Sequence, residues 1–163
     1  MAARKKTWQE KLTSDKGLPR VVDVPQDNRF HSGAGRMLIP APLEVDALMR
    51  QVPRGQVTTI NELRAALAER HGADFACPIT TGIFAWIAAH AAEEAAAAAA
   101  GAKRSTPYWR TLKTGGEINP KYPGGIEAVV EKLRTEGHTV TVRGKRTFLD
   151  FLETNLFRGF QDR

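Results

Sequence analysis

The stretch Val52-Pro53-Arg54-Gly55-Gln56-Val57-Thr58-Thr59-Ile60-Asn61-Glu62-Leu63 decides how the chain is read. Thr59 and Glu62 have the spacing of a capping box, in which a hydroxyl and a carboxylate satisfy free N–H groups at a helix start. Ile60, Leu63, Ala66 and Leu67 then recur on one helical face, which predicts a helix to about Arg70. Upstream, Pro40 and Pro42 precede Leu43, Val45, Leu48, Met49 and Val52, a second one-faced set that predicts a helix ended by Pro53-Arg54-Gly55. Downstream, a turn at His71-Gly72-Ala73-Asp74 leads to Pro78, which suits the first position of a third helix because it has no N–H to leave unpaired. Ile83, Phe84, Trp86 and Ile87 continue that helix into the Ala-rich run Ala91 to Ala100, whose high helix propensity reads as a solvated helical extension or spacer. Short helices joined by a tight turn have the layout of a helix-turn-helix, the device that sets a helix in a DNA groove.

The flanks differ in character. Residues 1–36 mix Lys, Pro, Asp and Gly and read as a basic, partly extended arm. A short helix near Thr7 to Leu12 and an extended piece at Val21 to Val24 are expected, closed by a flexible joint at Ser32-Gly33-Ala34-Gly35. Residues 37–140 form the domain proper, and residues 141–163 a C-terminal extension packed on it. Within the last third, Pro107 to Leu112 reads as extended, Lys113 to Gly116 as a turn, and Pro120 to Gly125 as a Gly/Pro-rich loop. Ile126, Val129, Val130 and Leu133 predict an amphipathic helix stopped by Gly137. A strand at Thr139 to Val142, a basic turn at Arg143 to Arg146, and an apolar strand or helix from Phe148 to Phe157 complete the order.

A chain of 163 residues is long enough for a real core without a disulfide framework or a structural metal. The one Cys, Cys77, cannot form an internal disulfide, and with four scattered His the usual zinc spacings are missing, so neither metal nor cofactor is expected. The lone thiol fits a reducing, cytoplasmic home, nucleoid-associated if the chain binds DNA. Lys5 and Lys6 are followed by Trp8-Gln9-Glu10-Lys11 rather than an apolar run, which argues against a signal peptide. Ile83 to Ala100 is too weakly apolar for a bilayer span, so no membrane association is expected. The net charge of +6 is unevenly placed: residues 1–36 and 101–163 are basic, whereas 37–100 are acidic on balance. Basic ends attract phosphates through counterion release.

Read together, Met37 to His138 resembles the DNA-binding domain of the O6-alkylguanine-DNA alkyltransferase family (methylated-DNA–protein-cysteine methyltransferases) and its alkyltransferase-like relatives. Val52 to Leu63 resembles the opening of that domain. Pro107-Tyr108-Trp109-Arg110 looks like the Pro-Cys-His-Arg signature, Tyr122-Pro123-Gly124-Gly125 like the substrate-pocket loop, and Glu136-Gly137-His138 like the end of the last core helix. The resemblance implies an α-rich α+β fold: a winged-helix-like helix-turn-helix domain of the alkyltransferase C-terminal type, with a small mixed region. Members of the transferase branch move an alkyl group from guanine to a Cys thiolate supported by His and Glu. Here Tyr108 and Trp109 stand at the Cys and His positions, and Glu136 alone remains. A phenol of ordinary pKa about 10 is a poor alkyl acceptor at neutral pH, and an indole is no base.

An aromatic residue at the acceptor position resembles the alkyltransferase-like branch, whose members bind alkylated DNA without repairing it. The resemblance therefore implies non-catalytic recognition of damaged double-stranded DNA, with a repair protein as a further partner and the chain itself a monomer. It implies a base pocket of Tyr108, Trp109, Arg110, Tyr122, Gly124, Gly125 and Glu136. The expected DNA contacts are Arg54, Thr58, Thr59, Thr80, Thr81, Lys113, Lys121, Arg143, Lys145 and Arg146. Departures accompany the match. The family's DNA-inserting Arg falls on or near Ile79 and its phosphate-rotating Tyr near Ile60, and no Lys or Arg occurs from His71 to Ala102. The connection from Gly82 to Pro107 is also longer than the family usually has. Two alternatives follow: Cys77, beside a helix N-terminus, as a relocated alkyl acceptor, and a protein-interaction module that kept the fold without DNA binding.

Overall fold

A computed structural model describes residues 4–25, 34–98 and 105–161. Ser32 and Gly33 of the expected joint, and the end of the Ala-rich run, lie outside the described residues. The elements follow in chain order: α1 (Trp8–Thr13), β1 (Arg20–Val24), β2 (Gly35–Ile39), α2 (Pro42–Gln51), β3 (Thr58–Thr59), α3 (Ile60–His71), β4 (Phe75–Ala76) and α4 (Pro78–Ala98). A 3-10 turn at Tyr108–Arg110 precedes β5 (Thr111–Leu112), α5 (Gly125–Thr135), β6 (Val140–Arg143), β7 (Arg146–Leu149) and α6 (Leu152–Asn155). The fold is thus α-rich α+β, with three small sheets among the described residues set around a helical body.

Local chemistry explains the helix-turn-helix. Thr59 caps α3 by accepting a hydrogen bond from the Glu62 N–H at 3.3 Å. Only this half of the expected capping box forms, because the Glu62 carboxylate pairs instead with Arg158 at 3.5 Å. At the other end Gly72 takes the left-handed conformation (φ 62°) that a side chain resists, and its N–H closes on the last carbonyls of α3. The chain then adds β4 to β2 in parallel and enters α4 at Pro78, with the Cys77 carbonyl accepting from the Thr81 N–H and from Thr81 Oγ1 at 2.7 Å. Leu63 and Leu67 of α3 and Ala85, Ala88 and Ala89 of α4 meet Val45, Leu48 and Met49 of α2 in one core.

Two segments depart from expectation. Pro107 to Leu112 is extended only at Thr111–Leu112; its first half winds into the 3-10 turn, because Pro107 φ (−77°) and the Arg110 N–H to Pro107 carbonyl bond close a tight loop. The basic segment 143–146 is not all turn: Arg143 pairs with Arg146, leaving Gly144-Lys145 as a two-residue hairpin loop. The arm carries its expected short helix and extended piece, and both pack on the body. Its β1 pairs antiparallel with β2 from Arg20–Ile39 to Val24–Gly35, and α1 lies against α4.

The tail crosses the start of the helix-turn-helix. Val57 donates its N–H to the Asn155 carbonyl and accepts from the Phe157 N–H at 2.7 Å, while Thr58 Oγ1 donates to the Phe157 carbonyl. Among the described residues no helix is long and apolar enough to cross a membrane.

Candidate nucleic-acid interface

The 3-10 turn, the loop before α5 and the residue that ends α5 bring five of the expected pocket residues together. Tyr108 is 1% exposed, its ring edge-on to Tyr122 (5.6 Å between centroids) and to Trp109 (5.4 Å). Its hydroxyl donates to Glu93 of α4 at 2.6 Å. Burial first, and then that bond to a carboxylate, raise the Tyr108 phenol above its ordinary value; burial does the same for Tyr122. Arg110 forks onto Glu136, with Nε at 2.9 Å and Nη2 at 2.8 Å, and donates Nη1 to the Val52 carbonyl at the end of α2. Trp109 Nε1 donates to the same carboxylate at 3.0 Å, and its ring carries the Lys132 ammonium at 4.8 Å.

Glu136 is therefore a carboxylate that accepts from the Arg110 guanidinium on both oxygens and from the Trp109 indole on Oε2. Burial alone would raise its pKa, but the Arg110 and Trp109 hydrogen bonds outweigh that and hold it below the usual value. Arg110 ties the 3-10 turn, α2 and the end of α5 to one point, a structural role. Its neighbour His138 is 6% exposed, and burial, followed by the Arg110 charge, lowers its pKa against the opposing pull of Glu136. Among the described residues His138 Nε2 has no hydrogen-bond partner. Gly124 (φ 79°) starts α5, and a Cβ there would stand 2.5 Å from that of Ala128.

An open cleft of about 610 Å³ lies beside this cluster, between the N-terminal turns of α3 and α4 and the loop 113–121. Ile60, Asn61 and Arg64 line it from α3, and Ile79, Ile83 and Trp86 from α4. Lys113, Glu117, Asn119 and Lys121 close its far rim. Lys113 and Lys121, two of the residues expected to contact DNA, line the cleft, whereas Tyr108, Trp109 and Tyr122 do not. Ile60 and Ile79, at the positions where the resemblance puts a Tyr and an inserting Arg, line the cleft with apolar surface instead. Ile79 and Ile83, one helical turn apart, are 50% and 45% exposed and form the apolar wall.

The remaining expected contacts divide by exposure. Arg143, Lys145 and Arg146 are exposed on the β6–β7 hairpin, with the Arg143 guanidinium 4.3 Å from the centre of the Phe148 ring. Arg146 and Lys113 both flank Glu117 at 3.9 Å, so the hairpin base and the cleft rim share one carboxylate. Arg54 is exposed but spends one nitrogen on the Thr135 carbonyl at the end of α5. Thr58, Thr59 and Thr81 are not at the surface: each is buried, its hydroxyl occupied by Phe157, Glu62 and Cys77 backbone respectively. Thr80 Oγ1 is buried without a partner among the described residues. Cys77 is a free, half-buried thiol residue preceding α4. Among the described residues no group of three or more His, Cys, Asp or Glu is placed to hold a metal.

A helix-turn-helix flanked by a basic two-stranded wing, with a cleft opening at its paired helix starts, defines the class: a winged helix-turn-helix α+β domain. Among solved structures, the chain is similar to S. pombe Atl1 in complex with damaged DNA containing O6-carboxymethylguanine, at 16% identity and a TM-score of 0.49, over 71% of this chain and 93% of that one. It is similar also to S. pombe ATL in complex with DNA, at 15% identity and a TM-score of 0.48, over the same shares. No protein-family model and no curated protein matches the chain.

Proposed function

We propose that this chain binds double-stranded DNA and recognises alkylated bases without transferring the alkyl group. The observation that carries the reading is the closure of the acceptor position beside an open cleft. Tyr108 is buried, its hydroxyl is held by Glu93, and its phenol is kept protonated, so it offers no nucleophile. Next to it, Ile79 and Ile83 offer an apolar wall of the kind that takes a base, and Lys113, Lys121 and Arg64 offer charge for the flanking phosphates. The hairpin residues Arg143, Lys145 and Arg146 extend the basic surface.

Binding of an O6-alkylguanine duplex and its undamaged counterpart over a salt titration tests this. Affinity is expected to fall steeply with salt and to be greater for the alkylated duplex, and Ile83→Asp is expected to abolish that preference. Equal affinity for both duplexes would remove damage recognition, and no binding at low salt would remove DNA binding altogether.

One observation favours a second reading, a protein-interaction module: two half-exposed isoleucines on a helix without Lys or Arg form an apolar patch suited to a partner's side chains. A partner that competes with DNA for Ile83 would support it. For Cys77, mass spectrometry after incubation with alkylguanine DNA separates transfer, seen as an adduct, from the binding-only reading, seen as unmodified protein.

A further inference from the structure

The far rim of the cleft is not held by its own loop alone. Two α4 side chains one turn apart, Trp86 and His90, converge on a single carbonyl, that of Lys121: Trp86 Nε1 donates at 3.1 Å and His90 Nε2 at 3.3 Å. A carbonyl only accepts, so the bond requires the His90 hydrogen on Nε2. Two donors from one rigid element fill both lone pairs of that carbonyl, which fixes the loop backbone against α4. The Lys121 N–H is meanwhile bonded to Asn119 Oδ1 at 2.9 Å.

Both donor rings are held in turn by Trp8. Its indole stacks on His90 (4.4 Å between centroids, 21° between planes) and meets Trp86 edge-on at 4.8 Å. Trp8 is itself anchored to α4, because the Glu94 carboxylate accepts from the Trp8 and Gln9 N–H groups, each at 3.0 Å. Two otherwise open donors at the start of α1 are satisfied this way, and negative charge is placed where the helix dipole favours it. A reciprocal Thr7–Glu10 box completes the cap. The Lys11 ammonium covers Trp8 at 4.1 Å.

From these contacts we infer that the N-terminal helix is a brace for the cleft: Trp8, acting through His90 and Trp86, positions the Lys121 rim and thereby sets the aperture and selectivity of the site. Trp8 and His90 are positioning residues and touch no ligand; that the ligand is DNA rests on the function proposed above. Trp86 does double service, since it lines the cleft and donates to its rim.

Hydrogen exchange of the full chain tests the brace without any ligand. Trp8→Ala and His90→Ala should speed exchange in residues 113–122 while leaving α2 and β6–β7 protected, whereas Trp8→Phe, which keeps a ring, and His90→Gln, which keeps a donor, should restore protection. Unchanged exchange in 113–122 for Trp8→Ala, or acceleration spread over the whole body, would overturn the inference. Duplex binding by the same variants reads selectivity: Trp8→Ala should cut the preference for alkylated over undamaged DNA by about fivefold, within the range over which residues remote from a ligand modulate coupling, with affinity for undamaged duplex retained. An equal loss on both duplexes would also overturn it. If the unaltered chain does not discriminate between duplexes while exchange at 113–122 still responds to Trp8, the DNA reading fails and the brace stands.

Discussion

Glu136 and His138 lie two positions apart and respond to acid in different windows. The Glu136 carboxyl is held below its ordinary 4.5, so its stabilisation is complete above about pH 4.5 and is lost as pH falls through its lower folded value. His138 is held below its ordinary 6.5; the contribution of its neutral ring is complete above about pH 6.5 and is lost as pH falls toward its folded value. Stability against pH should therefore fall in two steps. In urea titrations, Glu136→Gln should remove the lower step and cost about 3 kcal/mol, because Arg110 is left as a largely enclosed, half-paired charge. His138→Leu should remove the upper step and leave stability at neutral pH unchanged or raised by about 1 kcal/mol, since it deletes a buried nitrogen that has no partner among the described residues. A His138→Leu variant with the same pH profile as the parent would assign the upper step elsewhere.

At the scale of elements, caps and glycines decide where helices begin. Thr59→Ala should lower stability by about 1 kcal/mol through the lost α3 cap. Gly124→Ala should lower it by about 2 kcal/mol, combining a left-handed backbone with overlap at Ala128, and a thermal melt shows either effect. These were legible positions, because a cap or a turn is a statement about neighbours within four residues. The helix at 60–71, Pro78 at the start of α4 and the amphipathic 125–135 face were equally readable. The sequence did not disclose that Glu62 would turn from the α3 cap to Arg158, a partner 96 positions away. Nor did it disclose that Trp8 would stack on His90, or that Ile60 and Ile79, read as lost polar tools, would form a cleft wall. Each of those pairings depends on which surfaces the packed helices bring together, and periodicity carries no such information. Thr58, Thr59 and Thr81 show the same limit, since a Thr hydroxyl near a helix start bonds the tail, a cap or the preceding turn as readily as a phosphate.

For the molecule as a whole, the DNA binding proposed above would draw its charge near the cleft from the β6–β7 hairpin and the cleft rim, because α4 carries no Lys or Arg. Replacing Arg143, Lys145 and Arg146 together by Ala should reduce the slope of log affinity against log salt by about 0.9 for each phosphate that is no longer neutralised, with lesion preference retained. An unchanged slope would take the hairpin out of the interface. The crossing of the tail over Val57 bears on a different matter, the order in which the fold is made. Among the described residues Val57 obtains its main-chain partners from Asn155 and Phe157, and the adjoining Thr58 hydroxyl bond spans 99 positions. A ribosome-bound chain that has emerged only as far as α5 can hold α3, α4 and the β3–β5 pairing while Val57, just ahead of them, still lacks its main-chain partners. Local helices form early and distant pairings late. The main chain at Val57 is thus among the last parts of this protein to close, and a nascent chain stalled before Asn155 would leave those two backbone groups exposed.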